Sequence, residues 1–190
     1  MRTTETTQRV GHGGGVSTPA RGFTMIELMI TIAIAGIMLA LAMPDFREFS
    51  VRNQVTQSTN ELIVDLNLAR AEAVKRGVRT RLEQVGSWTS GWKVTADTGN
   101  DGTFATTLKE HTAMPVGYGV KGTAAASPIE FGPSGTIANV GGVVPAAPTA
   151  VEFLVCRPDK NLVKARRITA SLAGVVTSYR NNSTSALVCT

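Results

Sequence analysis

The chain has 190 residues, a formal net charge of +5, two cysteines and two histidines. So few sulfur and imidazole ligands, scattered rather than clustered, exclude a zinc-type framework. The length allows one modest soluble domain beside any targeting or membrane segment.

The charge is uneven. Residues 23–155 hold 10 Lys+Arg and 12 Asp+Glu, whereas residues 156–190 hold six basic residues and one acid, a local net of +5. At the N-terminus, Gly11-His12-Gly13-Gly14-Gly15 reads as a structureless leader and is set aside from fold reasoning. Next comes Arg21-Gly22-Phe23-Thr24-Met25-Ile26-Glu27, opening an apolar run that ends at Met43. Phe23 to Met43 is 21 residues with one charge, Glu27. About 20 apolar residues suffice for a membrane-spanning helix. A carboxylate inside such a helix costs roughly 2.5–3.5 kcal/mol on insertion scales, so Glu27 calls for a partner. A cut after Gly22 would supply one, because it leaves a new amine on Phe23. The helix then carries a positive end and a buried negative charge that can pair between neighbouring copies. An ordinary secretory signal fits less well: it wants a small-residue cleavage site after the apolar run and no charge within it. This run ends in Leu41-Ala42-Met43-Pro44-Asp45. The plainer reading of Glu27 is a polar residue tolerated near the interface.

At these residues the sequence resembles the precursors of type IV pilins and pseudopilins. The signature reads Gly22-Phe23-Thr24-Met25-Ile26-Glu27-Leu28. The resemblance implies cleavage between Gly22 and Phe23 by a prepilin peptidase and N-methylation of Phe23. It implies assembly with other pilins or pseudopilins through the helix and Glu27. It also implies a single-pass subunit in the bacterial inner membrane with its C-terminal domain in the periplasm. The domain organisation expected is a leader over 1–22, a transmembrane and assembly helix over 23–43, an amphipathic continuation over 44–77 and a β-rich domain over 78–190.

Pro44 removes a backbone donor and predicts a kink. Beyond it, Leu62, Leu66, Ala69 and Ala73 recur at helical spacing, with Val55 and Thr59 extending the face. Glu61, Arg70, Glu72 and Lys75 are placed on the opposite face, and Gly77 after Lys75-Arg76 is a stop signal. After Gly77 the period changes to two. Val78–Glu83, Gly91–Thr95 and Phe104–Leu108 read as strands, with hairpin chemistry at Asp101-Gly102. Ile129–Phe131, Val151–Cys156, Ala165–Ser171 and Val175–Tyr179 follow, while Val140–Ala150 reads as a loop. The fold class expected is α+β: a long N-terminal helix, membrane-spanning in its first half, packed on a small antiparallel sheet domain of pilin type.

Further landmarks resemble the GspH/FimT branch. They are Asp65-Leu66, Ala69-Arg70, Glu72-Ala73 and Arg76 in the helix. Trp88, Gly91-Trp92-Lys93-Val94, Asp97 and Asn100-Asp101-Gly102 follow, then Ile129, Phe131, Gly135, Cys156, Arg167 and Gly174. The branch holds secretion pseudopilins and minor pilins that help initiate or cap a filament, and some of these bind DNA for uptake. The DNA-binding members would show Gly-Arg-x-Arg where this chain has Gly174-Val175-Val176-Thr177.

Exported cysteines in an oxidising compartment predict a Cys156–Cys189 disulfide, worth about 3–4 kcal/mol in the chain-entropy model. Two free thiols are the alternative. Arg157, Lys160, Lys164, Arg166, Arg167 and Arg180 are the candidates for phosphate contacts with double-stranded DNA; a solvated surface or subunit contact is the other reading. Strand alternation sends Arg166 and Arg167 to opposite faces. Asp97, Asn100 and Asp101 lack EF-hand spacing and suit a plain turn better than calcium. Trp88 and Trp92 read as core, and His111 as isolated. With no phosphate loop, nucleophile elbow or paired carboxylates, the chain reads as a substrate of an enzyme, not an enzyme, with no cofactor.

Overall fold

A computed structural model describes residues 22–123, 128–145, 151–181 and 187–189, with backbone only over 42–45. The elements among these residues are an α-helix, α1 (Met25–Arg76), nine strands and a 3-10 turn (Leu162–Lys164); the strands are β1 (Thr80–Val85), β2 (Ser87–Ala96), β3 (Thr106–His111), β4 (Gly119–Gly122), β5 (Ile129–Phe131), β6 (Ile137–Val140), β7 (Val151–Cys156), β8 (Arg166–Ala170) and β9 (Val176–Arg180). The chain divides into two units, residues 1–44 and 45–190.

In the first unit α1 starts because Thr24 caps it. The Glu27 amide donates to Thr24 Oγ1 at 3.2 Å and the Leu28 amide to the Thr24 carbonyl at 3.1 Å. The first satisfies one of the helix-terminal donors that otherwise lack partners, and the second is the first bond of the helix itself. The apolar side chains point out all round: Phe23, Ile26, Met29, Ile37 and Leu41 are each exposed. A helix apolar on every side is stable only in lipid or against other apolar helices. Among the described residues no single helix is long and apolar enough to cross a membrane. Met25–Leu41 and Phe46–Arg76 together pass by length and composition. The kink expected at Pro44 falls on residues 42–45, outside the described side chains.

In the second unit the helical stripe read from the sequence becomes the spine of the core. Val55, Leu62, Leu66, Ala69 and Ala73 are all buried. They share one cluster with Leu82, Trp92, Ile129 and Phe131 from one sheet and Phe153 and Ile168 from another. Each such large side chain contributes about 1.5–3 kcal/mol on burial. The helix ends at Gly77, whose φ of +65° suits a residue without Cβ and whose amide donates to the Ala73 carbonyl at 3.0 Å. Glu61 and Arg70 do not lie on an outer face as expected. Both flank the buried stripe and reach the sheets.

There are two sheets where the sequence suggested one. The first has the order β3-β2-β1-β5-β6 and the second β4-β7-β8-β9, with antiparallel pairing throughout. The α+β class stands as expected. Strands β4 and β6 were not anticipated, and Val140, assigned to a loop, pairs with Ile129 at the end of β6.

A smaller cluster of Leu154, Cys156 and Ala165 takes in Leu187 and Cys189. The Cys156–Cys189 disulfide, with its Cα atoms 5.7 Å apart, fastens residues 187–189 to β7.

Candidate functional site

The N-terminal motif is chemically simple. Thr24-x-x-Glu27 has the spacing of a capping box, and the amide half of it is formed. Among the described residues, Glu27 is the sole carboxylate between Gly22 and Leu41, with exposed apolar side chains around it. A carboxylate so placed can accept a hydrogen bond or charge from another chain.

Of the six C-terminal basic residues, the fold spends two internally. Arg157 is 4% exposed and forks onto Glu48 of α1, with N–O distances of 2.9 and 2.6 Å. It also holds Asp159 at 3.1 and 3.2 Å. Such bidentate contacts are the strong class of charged hydrogen bonds. Arg167 is buried too. It donates to Asn181 Oδ1 at 2.7 Å, approaches Glu152 at 3.8 Å and lies 5.8 Å from the centre of the Tyr179 ring. Neither guanidinium faces a phosphate backbone. Lys164 closes on Glu48 at 3.2 Å. The two neighbours Arg166 and Arg167 do point to opposite sides of β8, with Arg166 on the open side. Lys160, Arg166 and Arg180 therefore remain as outward cations.

The hydrogen bond from Arg157, then that from Lys164, holds the Glu48 carboxyl down to about 2, against an ordinary 4.5. A depressed carboxylate stabilises the fold above its unfolded value and loses that contribution as pH falls from about 4.5 to about 2. The Glu48 carboxyl carbon is expected to titrate near 2 by NMR and to return towards 4.5 in Arg157→Met; a wild-type midpoint at 4.5 contradicts the pairing.

The other polar landmarks tie α1 to the sheets. Buried Asp65 accepts from Trp92 Nε1 at 2.8 Å and pairs with Lys109. His111 is not isolated. It stacks on Trp92 with ring centres 3.9 Å apart, and its Nε2 lies 3.0 Å from Glu61. The sequence missed this because the acid is 50 residues away. Trp88 is buried edge-on to Phe153, so both tryptophans are core. Asp97 takes the Asp101 and Gly102 amides and Arg79, each at 3.0 Å, as a turn requires. Among the described residues no cluster of three His, Cys, Asp or Glu could hold a metal.

Arg70 forms a clasp that sequence reading did not foresee. Its Nε donates to the Gly135 carbonyl at 3.0 Å and its Nη1 to the Gly174 carbonyl at 3.1 Å. It thereby joins α1 to the turn after β5 and the turn between β8 and β9. Gly174, read from the sequence as a family landmark and as the place of a missing DNA motif, is a structural contact, as is the landmark Gly135.

A family model described as Type II transport protein GspH matches residues 58–174, and one described as Prokaryotic N-terminal methylation motif matches residues 18–43. A fimbrial protein of Pseudomonas aeruginosa is 42% identical over 57 residues, 30% of this chain and 36% of that protein. The type IV major pilin protein PilE1 of Neisseria gonorrhoeae is 46% identical over 43 residues, 23% of this chain and 26% of that protein. The chain thus matches about a third or less of the length of these relatives. The crystal structure of the type IV minor pilin FimU of Pseudomonas aeruginosa superposes with a TM-score of 0.55 at 23% identity, covering 68% of this chain and 90% of that one. At that identity the likeness speaks for the fold.

Proposed function

Since the chain belongs to the GspH family and carries the prokaryotic N-terminal methylation motif, we propose that it is a minor pilin-like subunit made as a precursor. A prepilin peptidase cuts it after Gly22 and methylates Phe23. The segment Phe23–Met43 holds it in the inner membrane with the second unit in the periplasm. It enters a type IV pilus or a type II secretion pseudopilus through that segment and helps initiate or cap the filament. Its role is structural.

The observation that carries this reading is the capped helix Met25–Leu41, exposed and apolar on all sides except for Glu27. Such a surface needs lipid before assembly and neighbouring helices after it. Glu27 and the Phe23 amine of an adjacent subunit are the complementary charges.

The test is processing. A Cβ on Gly22 would meet no atom within 4 Å, so Gly22→Val leaves this structure unstrained and changes only what a peptidase sees. Expressed with a prepilin peptidase, the wild type is expected to lose residues 1–22 and gain a methyl group, and Gly22→Val to stay full length. A wild type that keeps its leader contradicts the reading.

A further inference from the structure

Three arginines of the second unit converge without an acid to meet them. Arg166 and Arg180 are direct partners across β8 and β9. Like charges directly opposite on a sheet destabilise it. Arg52, from α1, lines the same groove. Glu48 also lines the groove, but Arg157 and Lys164 already occupy its oxygens. Among the described residues, Arg52, Arg166 and Arg180 have no carboxylate partner. The groove measures about 400 Å³ and has exposed Val163 beside the cations, the other valine of its lining, Val55, being buried in the core. Positive charge beside aliphatic surface suits a phosphate esterified to something greasy.

The chain itself tethers this groove to the apolar segment. Arg52 lies nine residue steps beyond Met43, so it stays within about 30 Å of the end of the apolar run. Arginine stems lie along apolar surface while the head seeks charge, which suits a headgroup layer.

We propose that the groove formed by Arg52, Arg166 and Arg180 binds the phosphate of an anionic phospholipid headgroup, docking the second unit on the membrane before assembly. This rests on the membrane-anchored reading above. Release from the lipid would accompany extraction of the subunit into a filament and free the three arginines at that moment. A nucleic acid is less well matched, because Arg157 and Arg167 are buried and only a short cationic edge is left.

The test uses the full-length chain in lipid nanodiscs, read by hydrogen–deuterium exchange. Juxtamembrane cations each raise affinity for an anionic surface roughly fivefold. Backbone around Arg52, β8 and β9 is therefore expected to exchange at least about tenfold more slowly in discs containing phosphatidylglycerol than in phosphatidylcholine discs. The difference should vanish in Arg52→Gln/Arg166→Gln/Arg180→Gln and shrink in Arg52→Gln, which alters only an exposed helix position. Equal exchange in both lipids, with the apolar segment protected in both, overturns the headgroup site and leaves membrane anchoring intact. An unprotected apolar segment overturns both. Equal protection from inorganic phosphate added to phosphatidylcholine discs makes it a free-anion site. Protection by duplex DNA but not by phosphatidylglycerol makes it a nucleic-acid site. Either of these results overturns the proposal.

Discussion

Glu27→Ala is expected to leave the chain membrane-inserted and to abolish its incorporation into filaments. The substitution removes a charge that costs roughly 2.5–3.5 kcal/mol to insert, so anchoring becomes easier, not harder. It leaves the start of α1 intact, because the Thr24 side chain, not that of Glu27, caps the Glu27 amide, and the first helix bond runs from the Leu28 amide to the Thr24 carbonyl. On the reading proposed above, what is lost is the acceptor for the Phe23 amine of the neighbour. Fractionation and crosslinking from the apolar segment measure the two effects separately. Full membrane recovery with loss of subunit–subunit crosslinks is the expected pair. Normal crosslinking of the variant would show that Glu27 plays no part in assembly.

Gly174→Ala is expected to destabilise the second unit strongly. Gly174 is buried with φ +76°. The left-handed backbone alone costs a non-glycine residue about 1–2 kcal/mol. A Cβ there would also overlap the Gly135 carbonyl oxygen and lie 2.8 Å from Arg70 Nε, inside the clasp. Neither atom belongs to a loose side-chain end, so overpacking adds about 1–3 kcal/mol. The total, about 2–5 kcal/mol, is a large share of a typical domain's stability. A fall in melting temperature of roughly 10 °C is expected for the full-length chain. An unchanged melt would mean that the two turns separate without cost. Arg70→Leu should act in the same direction, since it strips both carbonyls of their donor.

What the sequence made legible follows the range of the interactions involved. The stripe Leu62, Leu66, Ala69 and Ala73 could be read because periodicity is local, and all four are fully buried. The stop at Gly77 could be read because a left-handed cap favours one residue type. Strands β1, β7, β8 and β9 carry enough β-branched and alternating residues to announce themselves. Strand β4 does not. It is Gly119-Val120-Lys121-Gly122, and it is a strand only because β7 pairs with it. Strand β6 fails for the same reason, since Ile137–Val140 gains its ladder from β5. That the strands form two sheets depends on partners far apart in the chain, which no window of residues shows.

The candidate sites divide the same way. Gly22, Phe23 and Glu27 lie within one short stretch, inside the matched residues 18–43, so the motif could be read without tertiary information. For the basic segment, alternation separated Arg166 from Arg167, but charge alone could not say which cations the fold would bury. Folding buries Arg157 against Glu48, 109 residues away, and Arg167 against Asn181, and brings Arg52 to Arg166 and Arg180 instead. Arg52 carried no local signal, being one arginine on a polar helical stretch. The acid beside His111 was hidden for the same reason.

On the proposed reading, this chain becomes a filament subunit through its processed N-terminal helix. The most direct measurement is mass spectrometry of the protein's N-terminal peptide in sheared, purified pili or pseudopili. The expected peptide begins at Phe23 and carries one added methyl group. A chain absent from the filaments, or present there with residues 1–22 still attached, would contradict it.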